Sequence, residues 1–327
     1  MSGVQMKTVA VDEAGMRLDR WFRTHFPSIR HGELEKLLRK GQVRVDGGRA
    51  RSSRRLDAGE EIRIPPMPAQ RNTPPEARAT APEDAAAIRR LIIHEDDDML
   101  ALNKPFGLAV QGGAKMARHV DAMLGALEKN GERPRLAHRL DKDTGGLLLA
   151  AKTRFGAQAL TEAFRRHDVD KTYWALVAGA PRPREGTITL PIAKRMVRIG
   201  TGDEERMVPA EGEDAKKAIT DFQLMEEAGR VSFLAMRPVT GRTHQLRVHA
   251  AAIGCPIVGD GKYGGAAAQI EGVAKKLHLF CRTMTFPHPR TGRRMTLTAP
   301  LGGHMAETWR FFAFDANADC DWPERSR

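Results

Sequence analysis

The sequence predicts an α+β protein in two parts: a small N-terminal α/β unit, and a larger domain whose mixed, mainly antiparallel sheet carries peripheral helices. Three observations lead there. Apolar residues recur at helical spacing between Leu18 and Leu38, then alternate at strand spacing as far as Ile64. A stretch rich in proline and alanine follows. Beyond it, apolar runs of strand length outnumber helix-spaced segments and lack the regular alternation of a doubly wound sheet.

In the first unit, expected over residues 13–65, Leu18, Trp21 and Phe22 share one helical face, and so do Leu34, Leu37 and Leu38. Val43 and Val45 alternate with polar residues up to Asp46-Gly47, a two-residue hairpin signal. Ile62 and Ile64 mark a closing strand. Pro65 to Ala87 reads PPMPAQRNTPPEARATAPEDAAA, which has almost no bulky apolar residue and cannot bury a core, so residues 66–88 are expected to be a linker. The second domain is expected over 89–315, with a tail over 316–327. Its strand-like runs are Leu91–His94, Met99–Asn103, Leu147–Ala151, Tyr173–Val177, Val231–Met236 and Arg294–Thr298. Val120, Met123, Leu124 and Leu127 have helical spacing, as Phe155, Leu160 and Phe164 do more loosely.

Charge narrows the partners. The 327 residues hold 53 Lys and Arg against 41 Asp and Glu, a net charge of +12, which suits a polyanion and most commonly a nucleic acid. No apolar run approaches the roughly 20 residues of a spanning helix, and the N-terminus lacks a signal-peptide core. The three cysteines, Cys255, Cys281 and Cys320, form neither a disulfide framework nor a metal-binding pair. A cytoplasmic monomer without metal or cofactor is expected. Lys36, Arg39, Lys40, Arg44, Arg49, Arg51, Arg54 and Arg55 crowd one stretch that contains only Glu35 and Asp46 as acids. Such a run is ordinarily a solvated surface. Here it spans a helix end, a hairpin and a loop, which lets it face one RNA backbone.

The segment Ala137–Lys152, AHRLDKDTGGLLLAAK, carries the densest chemistry. His138, Arg139, Asp141, Lys142, Asp143 and Thr144 meet Gly145-Gly146, and a buried-looking strand follows at once. Paired glycines let the backbone turn tightly, and a strand holds such a loop rigidly. Taken alone, this is a candidate active-site loop in which Asp141 or Asp143 could equally cap the turn, Asp143 being the better placed. Tyr173 in an apolar strand and Arg242 in a polar turn would ordinarily be a core residue and a surface cation.

The motifs are more specific together. HRLDKDTGG resembles the HRLD-x-x-TSG signature of the RluA-type pseudouridine synthases. Leu102-Asn103-Lys104-Pro105, the strand KTYWALV from Lys171 to Val177, and TGRTHQLRVH from Thr240 to His249 resemble three further motifs of that family, in its order. RLDRWF and LEKLLRKGQVRVDG resemble the S4 RNA-binding domain over roughly fifty residues. The resemblance implies a cofactor-free RNA isomerase that breaks the N1–C1′ bond of uridine, rotates the base and rejoins it through C5, in large-subunit ribosomal RNA or, as the alternative, transfer RNA. It implies Asp141 as the catalytic carboxylate, acting on ribose or base, with Arg242 paired to it. Tyr173 would lie against the uracil and offer a hydroxyl for proton transfer. Arg139 would fill the place of the flipped nucleotide, His138 would orient the loop, and Lys104 would line the rim. Lys36, Arg39, Lys40 and Arg44 would bind RNA backbone. The sequence departs from the signature at Gly145, where serine is usual.

Two features point elsewhere. Gly259-Asp260-Gly261-Lys262-Tyr263-Gly264 fits G-x-G-x-x-G literally, but it lies late in the chain and lacks the strand and acid of a dinucleotide site, so it reads as a turn. His244 and His249 are five apart, unlike a helical zinc pair, and read as structural. The competing functions are therefore a non-catalytic RNA-binding assembly factor and, on the glycine pattern alone, a nucleotide-dependent oxidoreductase.

Overall fold

A computed structural model describes residues 4–26, 29, 31–66, 82–112, 118–129, 131–200, 202–320 and 322. The chain divides into two compact units, residues 1–79 and 80–327.

The first unit contains β1 (Gln5–Thr8), α1 (Leu18–His25), α2 (His31–Arg39), β2 (Arg44–Val45), β3 (Gly48–Arg49) and β4 (Glu61–Ile64). The expected helix, helix, strand, turn and strand all occur. Asp46 and Gly47 both take positive φ, 48° and 74°, the conformation of a tight two-residue hairpin. The Asp46 carboxylate accepts the Glu61 amide at 2.8 Å and locks the hairpin to β4. Trp21, Phe22, Leu34, Leu38, Val43, Val45, Ile62 and Ile64 are buried together. The unit starts earlier than residue 13, because β1 pairs with β4 along its length. All four β1 residues are exposed, so no alternation announces that strand.

The second unit opens with α3 (Pro82–Arg89), inside the stretch expected as linker. Proline in the first turn, Glu83 and Asp84 after it, and three alanines favour a helix. Only one bulky apolar residue, the buried Ile88, anchors it. The strands are β5 (Ile92–Glu95), β6 (Met99–Lys104), β7 (Arg135–Leu136), β8 (Gly145–Ala151), β9 (Asp170–Ala178), β10 (Glu185–Thr189), β11 (Ile192–Ile199), β12 (Gly202–Pro209), β13 (Ile219–Ala228), β14 (Val231–Pro238), β15 (Leu279–Pro287) and β16 (Arg294–Thr298). The remaining helices are α4 (Val120–Leu124), α5 (Arg154–Arg165), α6 (Gln245–Ala252) and α7 (Gly303–Phe312).

Ten strands form one sheet in the order β10-β13-β14-β9-β15-β8-β6-β5, with β16 added to β15 and β7 to β8. All its pairings are antiparallel except β8 with β15, so the sheet is mixed and mainly antiparallel, as the sequence predicts. The six strand-like runs fall in β5, β6, β8, β9, β14 and β16. β10 to β13 and β15 went unread. β11 and β12 make a separate, largely exposed ribbon rich in charged residues, and β13 interleaves polar and apolar residues irregularly. The parallel β8–β15 contact sets Gly146 opposite Cys281. Gly146 has φ 102°, and a Cβ there would fall inside the Cys281 backbone, so only glycine permits this pairing. No helix among the described residues is long and apolar enough to cross a membrane.

Candidate active site

The polar loop from Ala137 to Thr144 connects β7 to β8 and forms one wall of a cleft of about 410 Å³. The start of β9, with Lys171 and Tyr173, forms a second wall, and residues 238–247 form the third. Asp141 faces this space at the loop's turn. The Thr144 amide donates to the Asp141 carbonyl at 3.2 Å. That backbone bond closes the turn, and Asp143, expected as its cap, is exposed.

Beneath the loop lies Lys104, and its expected place at the rim is corrected. It is fully buried, and its Nζ donates to the carbonyls of Pro105 (3.0 Å), Leu108 (2.8 Å) and Lys142 (3.0 Å). Burial pulls its pKa down to about 8, while the charges of Asp143 and Asp141 oppose that fall. Three inward carbonyls need a donor, and a lysine at the strand end supplies three N–H groups at once. Lys104 is thus an internal strut of the loop. The Gly107 amide donates to the same Lys142 carbonyl at 3.0 Å.

Phe106 explains the missing serine. A Cβ at Gly145 would lie 2.9 Å from the Phe106 ring, which also packs 4.3 Å from the ring of His304. The ring takes the room a serine would need.

His138 ties the loop to the sheet: its Nε2 accepts the Leu149 amide at 3.0 Å, and its ring lies 4.8 Å from that of Phe164. Burial, with Lys171 close by, holds its pKa down to about 3, so it is a neutral acceptor. Arg139 is exposed at the cleft. Tyr173 is buried in β9, opposite Cys281 in β15. Burial first, then the Cys281 thiol and the Asp141 charge, push its pKa well up, which keeps the phenol protonated.

The expected Arg242–Asp141 ion pair is not formed. Arg242 is exposed, and its Nε donates to the Lys217 carbonyl at 3.1 Å. The basic side chain next to Asp141 is instead His244, whose Nε2 lies 3.7 Å from the carboxylate. The largely buried guanidinium on this side belongs to Arg247, five residues later on α6. It grips Asp260 with two bonds of 2.7 and 2.6 Å and lies 4.9 Å from the Tyr263 ring centre. Burial works against its charge, but the Asp260 bonds and the charges of Asp260 and Asp141 outweigh this and raise its pKa.

His244, read from the sequence as structural, stands at the cleft in a left-handed conformation (φ 53°), with its Nδ1 2.7 Å from the Tyr263 hydroxyl. Burial, reinforced by Arg247 and Lys262, keeps it towards neutrality against the pull of Asp141. His249 is structural as expected, bonded to Thr220 and to the Leu190 carbonyl. Gln245 closes the motif: its Oε1 accepts the Arg242 amide and its Nε2 donates to the Ile219 carbonyl.

The GDGKYG pattern is a turn, and more than a turn. Asp260, 1% exposed, accepts the amides of Lys262 and Tyr263 while holding Arg247. The lone acid in that glycine-rich run was the available sign of a buried cation elsewhere.

Residues 98–252 match the RNA pseudouridylate synthase family model. The chain is 36% identical to ribosomal large subunit pseudouridine synthase C of Salmonella typhimurium over 305 residues, which span 91% of this chain and 93% of that protein. It is 35% identical to the Escherichia coli (strain K12) protein of the same name over the same shares. Among solved structures, human RNA pseudouridylate synthase domain containing 4 superposes with a TM-score of 0.58 at 28% identity, over 70% of this chain and 95% of that one. The chain belongs to the RluA-type family of RNA pseudouridine synthases.

Proposed function

We propose that this enzyme converts uridines of large-subunit ribosomal RNA to pseudouridine, with Asp141 as its catalytic carboxylate. The observation that carries the assignment is Asp141 itself, opening on a cleft that also presents Tyr173 and lies within the field of Arg247. Glycoside hydrolases use two carboxylates, one for the leaving group and one for the anomeric carbon. Uracil leaves as a stabilised anion and no water is consumed, so one carboxylate suffices here, acting on ribose or base. Arg247, whose raised pKa reflects in part the charge of Asp141, takes the supporting role expected of Arg242, with His244 beside the carboxylate. Tyr173, a protonated phenol, offers its ring to the uracil and serves less well as a base. Arg139 occupies the helix where the nucleotide has been flipped out.

The N-terminal unit is read as an S4-like RNA-binding domain, with Lys36, Arg39, Lys40 and Arg44 on phosphates. The relatives' names, ribosomal large subunit pseudouridine synthase C, support the substrate class. The test is base-resolution mapping of pseudouridine in ribosomal and transfer RNA from cells without the gene, then with wild-type or Asp141→Asn protein restored. Several large-subunit sites should vanish and return only with wild type. Losses confined to transfer RNA would overturn the substrate, and rescue by Asp141→Asn would overturn the carboxylate.

A further inference from the structure

Lys171 lies two residues before Tyr173 in β9, so strand alternation turns both side chains to one face, and both line the cleft. Its Nζ sits 5.8 Å from the centre of the Phe164 ring. Among the described residues no hydrogen bond or ion pair holds that ammonium. The neighbouring groups able to carry negative charge are occupied or neutral. Asp170 is bound by Arg294 at 2.6 Å, and burial pushes the Cys281 thiol up to about 12, which keeps it neutral. Burial also works against the Lys171 charge and lowers its pKa. A desolvated cation whose recorded contact is an aromatic face, with no hydrogen bond or ion pair among the described residues, costs stability, and this one lies in the cleft wall.

We propose that Lys171 is a further catalytic residue, whose ammonium neutralises the negative charge that collects on the uracil ring once its bond to the ribose has broken. This rests on the function proposed above. When N1–C1′ breaks, its electron pair stays with uracil, spread over N1, O2 and O4. When C5 bonds to C1′ the pair returns to the sugar, and the C5 proton is released while N1 takes one up. The charge on the base therefore exists only between the two bond changes. A cation placed for it acts on that interval alone, which is the condition for raising the rate rather than the affinity. The distance fits: residues two apart on a strand are separated by about 6.6 Å, close to the width of a uracil. A ring lying on Tyr173 brings a carbonyl edge towards Lys171. Phe164, Val169 and Leu279 line the same cleft, with His167 and Asp170 among them, and the Phe164 ring beside the ammonium offers a flat apolar surface of the kind a base packs on.

The experiment compares full-length wild type, Lys171→Met and Lys171→Arg, by single-turnover tritium release from C5-labelled uridine in RNA, RNA affinity by anisotropy, and thermal melting. Lys171→Met should lose about 100-fold in rate, bind RNA within about twofold of wild type, and melt at or above the wild-type temperature, since an unpartnered charge has been removed. Lys171→Arg should recover at least about tenfold of the loss. A Met variant as fast as an active wild type overturns the proposal. So does a rate loss matched by lost affinity, which would mark a phosphate holder, or by a lower melting temperature, which would mark a structural residue. A wild type that releases no tritium overturns the proposed function and this inference together.

Discussion

In the N-terminal unit Lys36, Arg39 and Lys40 stand exposed at the end of α2, and no acid among the described residues holds them. In the larger unit the cations near the cleft are mostly captured: Arg247 by Asp260, Lys104 by three carbonyls, Lys262 by Glu204 at 2.6 Å. Free, mobile side chains can follow a phosphate backbone of variable shape, and their contribution is long-ranged and screened by salt. Captured ones have a fixed position and act on one atom or one loop. The first unit is therefore suited to affinity and the second to chemistry, and four sets of substitutions probe that contrast.

The largest effect is expected at Arg247. Its replacement by Ala strands Asp260 without a counter-charge, a loss of about 3–5 kcal/mol in stability for a buried pair. The turnover rate should fall by about 10³-fold once the field on Asp141 is lost. Arg242→Ala, at an exposed residue, should cost no more than about tenfold. Denaturant unfolding and tritium release measure both. A reversed ranking would return the supporting role to Arg242.

Gly145→Ser should destabilise the loop by about 1–3 kcal/mol, the usual penalty of overpacking, because its Cβ meets Phe106. Adding Phe106→Leu should restore much of the loss and the activity with it. A Ser variant as stable as wild type would mean that the ring does not set the loop.

The third effect is a pH dependence. His138 is held to about 3 in the folded protein against an ordinary value of 6.5. As pH falls from 6.5 towards 3 only the unfolded chain takes up this proton, so the stability it contributes above pH 6.5 is progressively lost. His138→Asn should be less stable at neutral pH and fall less steeply across that window. Unfolding midpoints at several pH values decide it, and parallel curves would remove His138 from the account.

The smallest effect separates the two units. Changing Lys36, Arg39 and Lys40 together to Ala should lower the slope of log affinity against log salt by about 2–3, at roughly 0.7–0.9 for each phosphate contact. Turnover of bound RNA should stay unchanged. An unaltered slope would make that stretch a solvated surface and would end the contrast.

Much was legible because it is local. The hairpin at Asp46-Gly47 follows from two residues that tolerate positive φ. The loop around Asp141 could be read because its polar residues, its glycines and the strand β8 are contiguous in the chain. The Lys171-to-Val177 strand had the same advantage, and so did the mixed sheet it helps build. The edge strand β1 and the ribbon of β11 and β12 were missed because exposed strands bury no alternating face.

By itself the sequence determined the fold class and the family, since each is carried by short segments or by the order of several, and it singled out Asp141 as the carboxylate to propose. Only the tertiary structure showed that Arg242 is turned to the Lys217 carbonyl while Arg247 lies within the field of Asp141. Arg242 and Arg247 lie five apart in one motif with identical side chains, and the choice depends on where α6 begins and on Asp260, thirteen residues further along. It likewise decided that Lys104 is a strut, because three carbonyls converge on it from chain as distant as Lys142. It left Lys171 with no hydrogen bond or ion pair among the described residues, because β15 and α5 bring a thiol and an aromatic ring to its side. A side chain's charge is written in its residue type. Whether that charge is neutralised, buried or left over is set by groups remote in sequence, through distances that exist only once the chain has folded.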